Sequence, residues 1–185
     1  MQKIILGLIG EMASGKSTVT QYLKEKHNAV TFRFSDVLRD ILNRLHIENT
    51  RANLQTLSTV LRQNFSEDIL SKVLAADAEA AEQPFIITEG IRRPSDITYL
   101  QELPGFHLIA LNADERIRYE RLIARRENTD DPNKSWTEFK TEGQQESEQK
   151  IKEVAAAAEF VVDNNGTIEQ LYKQIDAIVE RLSTS

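Results

Sequence analysis

Gly10-Glu-Met-Ala-Ser-Gly15-Lys16-Ser17 fits the pattern G-x-x-x-x-G-K-[ST]. Its flanks decide how the stretch is read. Before it, Lys3-Ile-Ile-Leu-Gly-Leu-Ile9 reads as a buried strand; after it, Ser17-Thr-Val-Thr-Gln-Tyr-Leu23 reads as a helix. Strand, loop and helix together aim backbone N–H groups and the positive end of a helix at one point. Glycine lets the backbone wrap closely around a polyphosphate. The expected nucleotide-binding residues are Gly10, Glu11, Met12, Ala13, Ser14, Gly15, Lys16, Ser17 and Thr18. Lys16 would reach the β- and γ-phosphates of ATP, and the Ser17 hydroxyl would bind Mg²⁺.

Outward from this loop, apolar runs of strand length alternate with helical patterns. Strands are expected at 3–9, 29–34, 85–88, 107–112 and 160–163. Helices are expected at about 16–27, after Ser35, over 51–82, 114–126, 136–158 and 167–182. The long stretch 51–82 should break near Asn64-Phe-Ser-Glu67, where Ser66 can cap a second helix. Alternating strands and helices predict an α/β fold, a parallel sheet with right-handed crossovers and helices on both faces. Ligands then bind at the carboxyl ends of the strands. Three of those ends carry polar groups: the phosphate loop, Ser35-Asp36 with Arg39 one turn on, and Glu89-Gly90-Ile91-Arg92-Arg93.

Composition bounds the reading. At 185 residues the chain is expected to form one domain. The net charge of −6 argues against broad binding to nucleic acid or anionic membranes. Anion sites must come from clustered arginines. There is no cysteine, so thiolate metal sites and cysteine nucleophiles are excluded. His27, His46 and His107 lack metal-ligand spacing. No apolar run approaches a membrane span and no signal peptide is evident, so the expected location is the cytoplasm. The segment 142–150 reads as a solvated helix face.

A phosphate loop alone indicates only a nucleoside triphosphate. The Asn/Thr-Lys-x-Asp motif of a switch GTPase is absent, and Phe85-Ile-Ile-Thr-Glu89 lacks the Asp-Glu pair of an AAA-type motor. A kinase of a small phosphorylated acceptor must bring two anions together, and cations must offset their repulsion. Arginine suits this, being always charged and two-pronged. One group, Arg39, Arg62, Arg92 and Arg93, lies where an acceptor pocket would form, with Asp36 and Glu89 beside it. Glu89 would order Mg²⁺ through water or hold the acceptor; Asp36 would hold an acceptor hydroxyl, cap its helix or approach Mg²⁺. A second group, Arg116, Arg118, Arg121, Arg125 and Arg126, lies on one helix, and Arg118, Arg121 and Arg125 share a face. The polar run 127–134 follows it and reads as an exposed lid.

These segments resemble the P-loop nucleoside-monophosphate kinase superfamily. Phe34-Ser-Asp36-Val-Leu-Arg39, Glu89-Gly-Ile-Arg-Arg93 and Glu120-Arg121-Leu-Ile-Ala-Arg125-Arg126 look like adenylate-kinase segments. Thr50-Arg51-Ala-Asn-Leu-Gln55, Leu61-Arg62 and Ile91-Arg92-Arg-Pro-Ser-Asp96 are similar to phage-type deoxynucleoside-monophosphate kinases and to an uncharacterised archaeal kinase-like family. Ala158-Glu-Phe-Val-Val-Asp-Asn-Asn-Gly166 resembles a segment near the base in dephospho-coenzyme-A kinases.

The resemblance implies a three-layer fold with a five-stranded parallel sheet in the order 2-3-1-4-5. It implies an acceptor-binding helical region at about 36–83 and a lid at about 127–139. It makes Arg39 and Arg93 acceptor-phosphate ligands, with Arg92 as the alternative to Arg93, and it makes Arg121 and Arg125 lid arginines that would close over the transferring phosphoryl. The expected activity is Mg²⁺-dependent transfer from ATP to a nucleoside or deoxynucleoside monophosphate, by a monomer or small homo-oligomer. The alternatives are a dephospho-coenzyme-A kinase-like transfer to a ribose hydroxyl, with Asp36 as base, and a switch module that hydrolyses ATP slowly.

Overall fold

The computed structural model describes residues 3–125, 134–144 and 146–184. Five parallel strands form one sheet in the order β2-β3-β1-β4-β5. They are β1 (Ile4–Ile9), β2 (Val30–Arg33), β3 (Phe85–Glu89), β4 (Phe106–Asn112) and β5 (Phe160–Asp163). The β1 sequence is apolar throughout because both its faces are covered, and all six of its residues are buried. Its neighbours on either side are β3 and β4, with Leu6 opposite Ile87 and His107. An added Cβ on Gly7 would stand 2.8 Å from the Phe106 ring, so the central strand has no room for a side chain there.

The strand alternation sorts the core into two layers. Leu6, Leu8, Ile109 and Leu111 pack with Val19 and Leu23 of α1 (Lys16–His27) and with Leu171, Ile175 and Val179 of α8 (Ile168–Ser183). On the opposite face, Ile9, Leu108 and Ala110 meet Leu38 of α2 (Phe34–Arg44), Leu74 of α4 (Ile69–Ala80) and Ile151 and Val154 of α7 (Glu146–Ala156). The remaining helices are α3 (Arg51–Asn64), α5 (Glu115–Arg125) and α6 (Trp136–Gly143). Among the described residues no helix is long and apolar enough to cross a membrane.

Three local expectations change. The stretch 51–82 does break, but α4 starts after Asp68; Ser66 does not cap it and instead donates to the Asp68 carboxylate at 2.7 Å. The single helix expected over 136–158 is two, because α6 ends at Gly143. The segment 142–150 is not wholly a solvated face: Glu148 is buried on the inward side of α7, in line with Ile151.

Candidate active site

The phosphate loop leaves β1 and enters α1 as its sequence requires. Gly10 passes so close to β4 and to the loop itself that a Cβ would stand 2.5 Å from the Leu111 carbonyl oxygen and from Ser14 Oγ. Gly15 has φ 106°, a left-handed conformation that costs glycine little. Its bare Cα lets the Asn164 amide in; a Cβ would lie 2.2 Å from Asn164 Nδ2. That nitrogen donates to the Ser14 carbonyl at 2.8 Å. No side chain caps α1, so its first backbone N–H groups face the loop mouth. Lys16 Nζ donates to the Gly10 and Glu11 carbonyls at 2.6 and 3.0 Å. The Ser17 side chain is exposed at the same mouth.

Beside the loop, β3 and then β2 bring their carboxyl ends to the same edge. Arg33 and Glu89 are opposite residues of the ladder, and their side chains form an ion pair at 2.5 Å. Glu89 also accepts a hydrogen bond from the buried Thr20 hydroxyl, one turn into α1 from Lys16. The carboxylate is thus fastened to the helix that carries the loop. Gly90, at φ 90°, makes the turn against Phe34 at the start of α2. On α2, Arg39 donates to Ser35 Oγ and to Asp36 Oδ1, both at 2.8 Å. Asp36 does not cap α2, whose N-cap residue is Arg33.

Arg62 is the least exposed of the acceptor-side arginines, with its side chain 6% exposed. Its Nη2 donates to Asp96 Oδ1 at 2.6 Å, and its Nη1 to the Glu67 carbonyl and to Ser95 Oγ. Asp96 Oδ2 accepts the backbone N–H groups of Arg92 and Arg93 at 2.8 and 3.2 Å. Arg93 pairs with Glu67 at 2.9 Å. Arg92 is exposed, and its guanidinium has no polar partner among the described residues.

On the other side of the loop, α5 supplies two arginines. Arg118 is buried; it donates to the Ala113 and Met12 carbonyls at 3.1 and 3.3 Å and pairs with Glu11 at 3.2 Å. The Phe139 ring of α6 covers its guanidinium at 5.5 Å, and Lys152 of α7 reaches the same Glu11 at 3.6 Å. Arg121 donates to Asn164 Oδ1 at 3.4 Å, while its Nη1 is buried without a partner. Arg116 turns away and pairs with Glu120. Arg125 ends α5, but its side chain, Arg126 and the lid residues 127–133 lie outside the described residues. The remainder of the expected lid packs on α5: Trp136 and Phe139 lie 5.2 and 5.6 Å from the Tyr119 ring.

Thr20, Arg33, Asp96, Arg118 and Asn164 make contacts at this edge that the motifs do not announce. Arg118 had a usable signal, its shared face with Arg121. Asp96 joins a local turn to the distant Arg62, and the others depend on contacts between distant segments.

The chain matches the family described as AAA domain over residues 6–153. It is 24% identical to a UPF0200 protein of Hyperthermus butylicus, over 98% of this chain and 96% of that protein. It is 26% identical to a UPF0200 protein of Thermococcus gammatolerans, over 97% and 95%. Among solved structures, shikimate kinase from Bacteroides thetaiotaomicron superposes with a TM-score of 0.64 at 16% identity, covering 97% of this chain and 98% of that one. A gluconokinase from Sinorhizobium meliloti superposes with a TM-score of 0.54 at 17% identity, covering 97% and 93%. The fold is that of the P-loop kinase-like proteins, as the strand order and the loop indicate.

Proposed function

The chain belongs to the AAA domain family, and from that premise we propose that it is an ATP-dependent, Mg²⁺-requiring phosphotransferase acting on a small phosphorylated acceptor. The acceptor class we favour is a nucleoside or deoxynucleoside monophosphate. The observation that carries the reading is the convergence of three strand ends. The loop after β1, Glu89 to Arg93 after β3, and Asp36 with Arg39 after β2 stand side by side because β3 lies between β1 and β2.

The loop backbone and Lys16 would hold the donor phosphates, with Lys16 exchanging the Gly10 and Glu11 carbonyls for phosphate oxygens. Ser17 and, through water, Glu89 fit a Mg²⁺ ion: one is an exposed hydroxyl at the loop mouth, the other a carboxylate tied to α1 through Thr20. Bound Mg²⁺ would neutralise charge on the transferring group. Arg39 with one of the arginines after β3 would hold the acceptor anion. Arg121 and Arg125 would close on the phosphoryl from the other side. A phosphate acceptor is already anionic near neutral pH, so this reading needs no general base.

The test is ADP release from ATP and Mg²⁺ with a panel of nucleoside and deoxynucleoside monophosphates. One acceptor should stimulate release manyfold. A second reading follows from the placement of Asp36, an exposed carboxylate that Arg39 fixes in the first turn of α2. There it would act as base towards an acceptor hydroxyl. Stimulation by dephospho-coenzyme A and by no monophosphate would select that reading. Release that no acceptor stimulates would leave the slow-hydrolysing switch.

A further inference from the structure

We propose that Asp96 is the positioning residue of the acceptor site, and that its grip leaves Arg92, rather than Arg93, as the ligand of the acceptor's anionic group. The proposal rests on the kinase reading above for the identity of the anion, and on geometry alone for the mount.

The Asp96 side chain is 3% exposed, and its two oxygens do different work. Oδ1 takes the Arg62 guanidinium at 2.6 Å. Oδ2 takes two consecutive backbone N–H groups, those of Arg92 and Arg93. One carboxylate therefore fastens the middle of the helical insertion, through α3, to the turn that follows β3. Two successive amides held on one oxygen fix the backbone of that turn, and so fix where the two side chains depart. Pro94 restricts the same turn from the other side, since proline sets its own φ and limits that of Arg93.

Charge then separates the two arginines. Along this edge Arg33, Arg39, Arg62 and Arg93 each have a carboxylate at 2.5–2.9 Å, from Glu89, Asp36, Asp96 and Glu67. Arg92 has none among the described residues. An anion arriving at any of those four, Arg39 included, must displace an existing ion pair. At Arg92 it meets no such pair among the described residues. Arg92 also follows the buried Ile91, which anchors the start of the turn in the core behind β1. An exposed, unpaired guanidinium on a rigidly held backbone is preorganised for a phosphate.

The experiment uses the full chain and three variants, Asp96→Asn, Arg92→Ala and Arg93→Ala, with the monophosphate panel. Asparagine keeps the shape of Asp96 but removes the charge that serves three donors. Asp96→Asn should raise the acceptor KM about tenfold with donor KM within twofold. Arg92→Ala should raise the acceptor KM by about ten- to a hundredfold, and Arg93→Ala by no more than about threefold. In the Arg92→Ala background, Asp96→Asn should add less than about twofold, because its effect runs through Arg92. Multiplying effects in the double variant, or a larger effect at Arg93 than at Arg92, overturns the proposal.

If wild type phosphorylates nothing in the panel, the monophosphate-kinase reading fails and the mount is read without turnover. Amide exchange at Arg92 and Arg93 should be slow in wild type and faster in Asp96→Asn. Inorganic phosphate should shift the Arg92 Nε–H resonance at lower concentration in wild type than in that variant. Unchanged exchange, or an Arg92 signal blind to phosphate, overturns the mount as well.

Discussion

Lys16 shows how far a motif can be trusted one residue at a time. Its ammonium donates to the Gly10 and Glu11 carbonyls of its own loop. Lys16→Ala should therefore lower turnover by on the order of a hundredfold or more, while the melting temperature moves little. Near-wild-type turnover would remove Lys16 from the donor site, and a collapse of the melting temperature would make it structural. Gly15 carries the opposite expectation. A side chain there meets a φ of 106° and the Asn164 amide together. Gly15→Ala should cost about 1–3 kcal/mol in urea unfolding; an unchanged midpoint would mean that Asn164 swings aside at no cost. The glycines and Lys16 were legible because the motif is local. Asn164 was not, since it meets Ser14 from 150 residues away. Asp96 was not, since its partner Arg62 lies 34 residues back. For Arg62 a sequence gives the charge but not its 6% exposure.

Elements were read well where hydrophobic period alone decides them. All five strands lie within a residue of their expected ends because parallel strands buried on both faces are nearly unbroken apolar runs. The errors sit at helix breaks such as Gly143–Gln144, where two short helices share one periodicity and tertiary packing sets the bend. The pairing of α1 with α8 lies beyond any periodicity. Tyr22 and Tyr172 stack at 3.8 Å, and Asp176 of α8 accepts from Tyr22 and Lys26 at 2.7 and 2.6 Å. Burial pushes the Asp176 carboxyl up, but the hydrogen bonds from Lys26 and Tyr22 outweigh it and hold its pKa below the ordinary 3.8. Nearby, His27 stacks on Phe85 at 4.7 Å, and its Nε2 is buried without a partner. Burial, helped by the Lys26 charge and opposed by Asp176, lowers its pKa from 6.5. The unfolded chain then takes up the histidine proton first as pH falls. Stability should decline as pH drops below about 6.5, and a second loss should follow below about 3.8 as Asp176 is protonated. Urea midpoints at pH 7.5 and pH 5 test the first step. His27→Phe keeps the stacking and should flatten it. A variant that loses as much stability as wild type between those pH values would exonerate His27.

At the scale of the whole molecule the sheet divides the work about β1. The β2–β3 side carries Asp36, Arg39 and the Asp96 mount. The β4–β5 side carries Arg118, Arg121 and Asn164. Strand order could be expected from resemblance, but the separation of the two polar networks could not. Among the described residues no hydrogen bond or ion pair joins the two networks. Yet α7 touches both: Lys152 reaches Glu11 in the phosphate loop, and the helix packs on the Pro94–Asp96 turn. Independent networks and a shared helix predict different kinetics. Arg118→Met removes the grip on Glu11 and the Met12 carbonyl while keeping bulk under Phe139. It should raise donor KM about tenfold, the cost of a charge-assisted contact of roughly 1.5 kcal/mol. Acceptor KM should stay within about twofold. Combined with Asp96→Asn, the two losses in kcat/KM should multiply, with a coupling energy below about 0.5 kcal/mol in the double-mutant cycle. A coupling above about 1 kcal/mol would mean that α7 carries strain from the acceptor turn to the phosphate loop. Replacing Lys152 with Met should then abolish the coupling, which separates transmission through Glu11 from a general loosening of the fold.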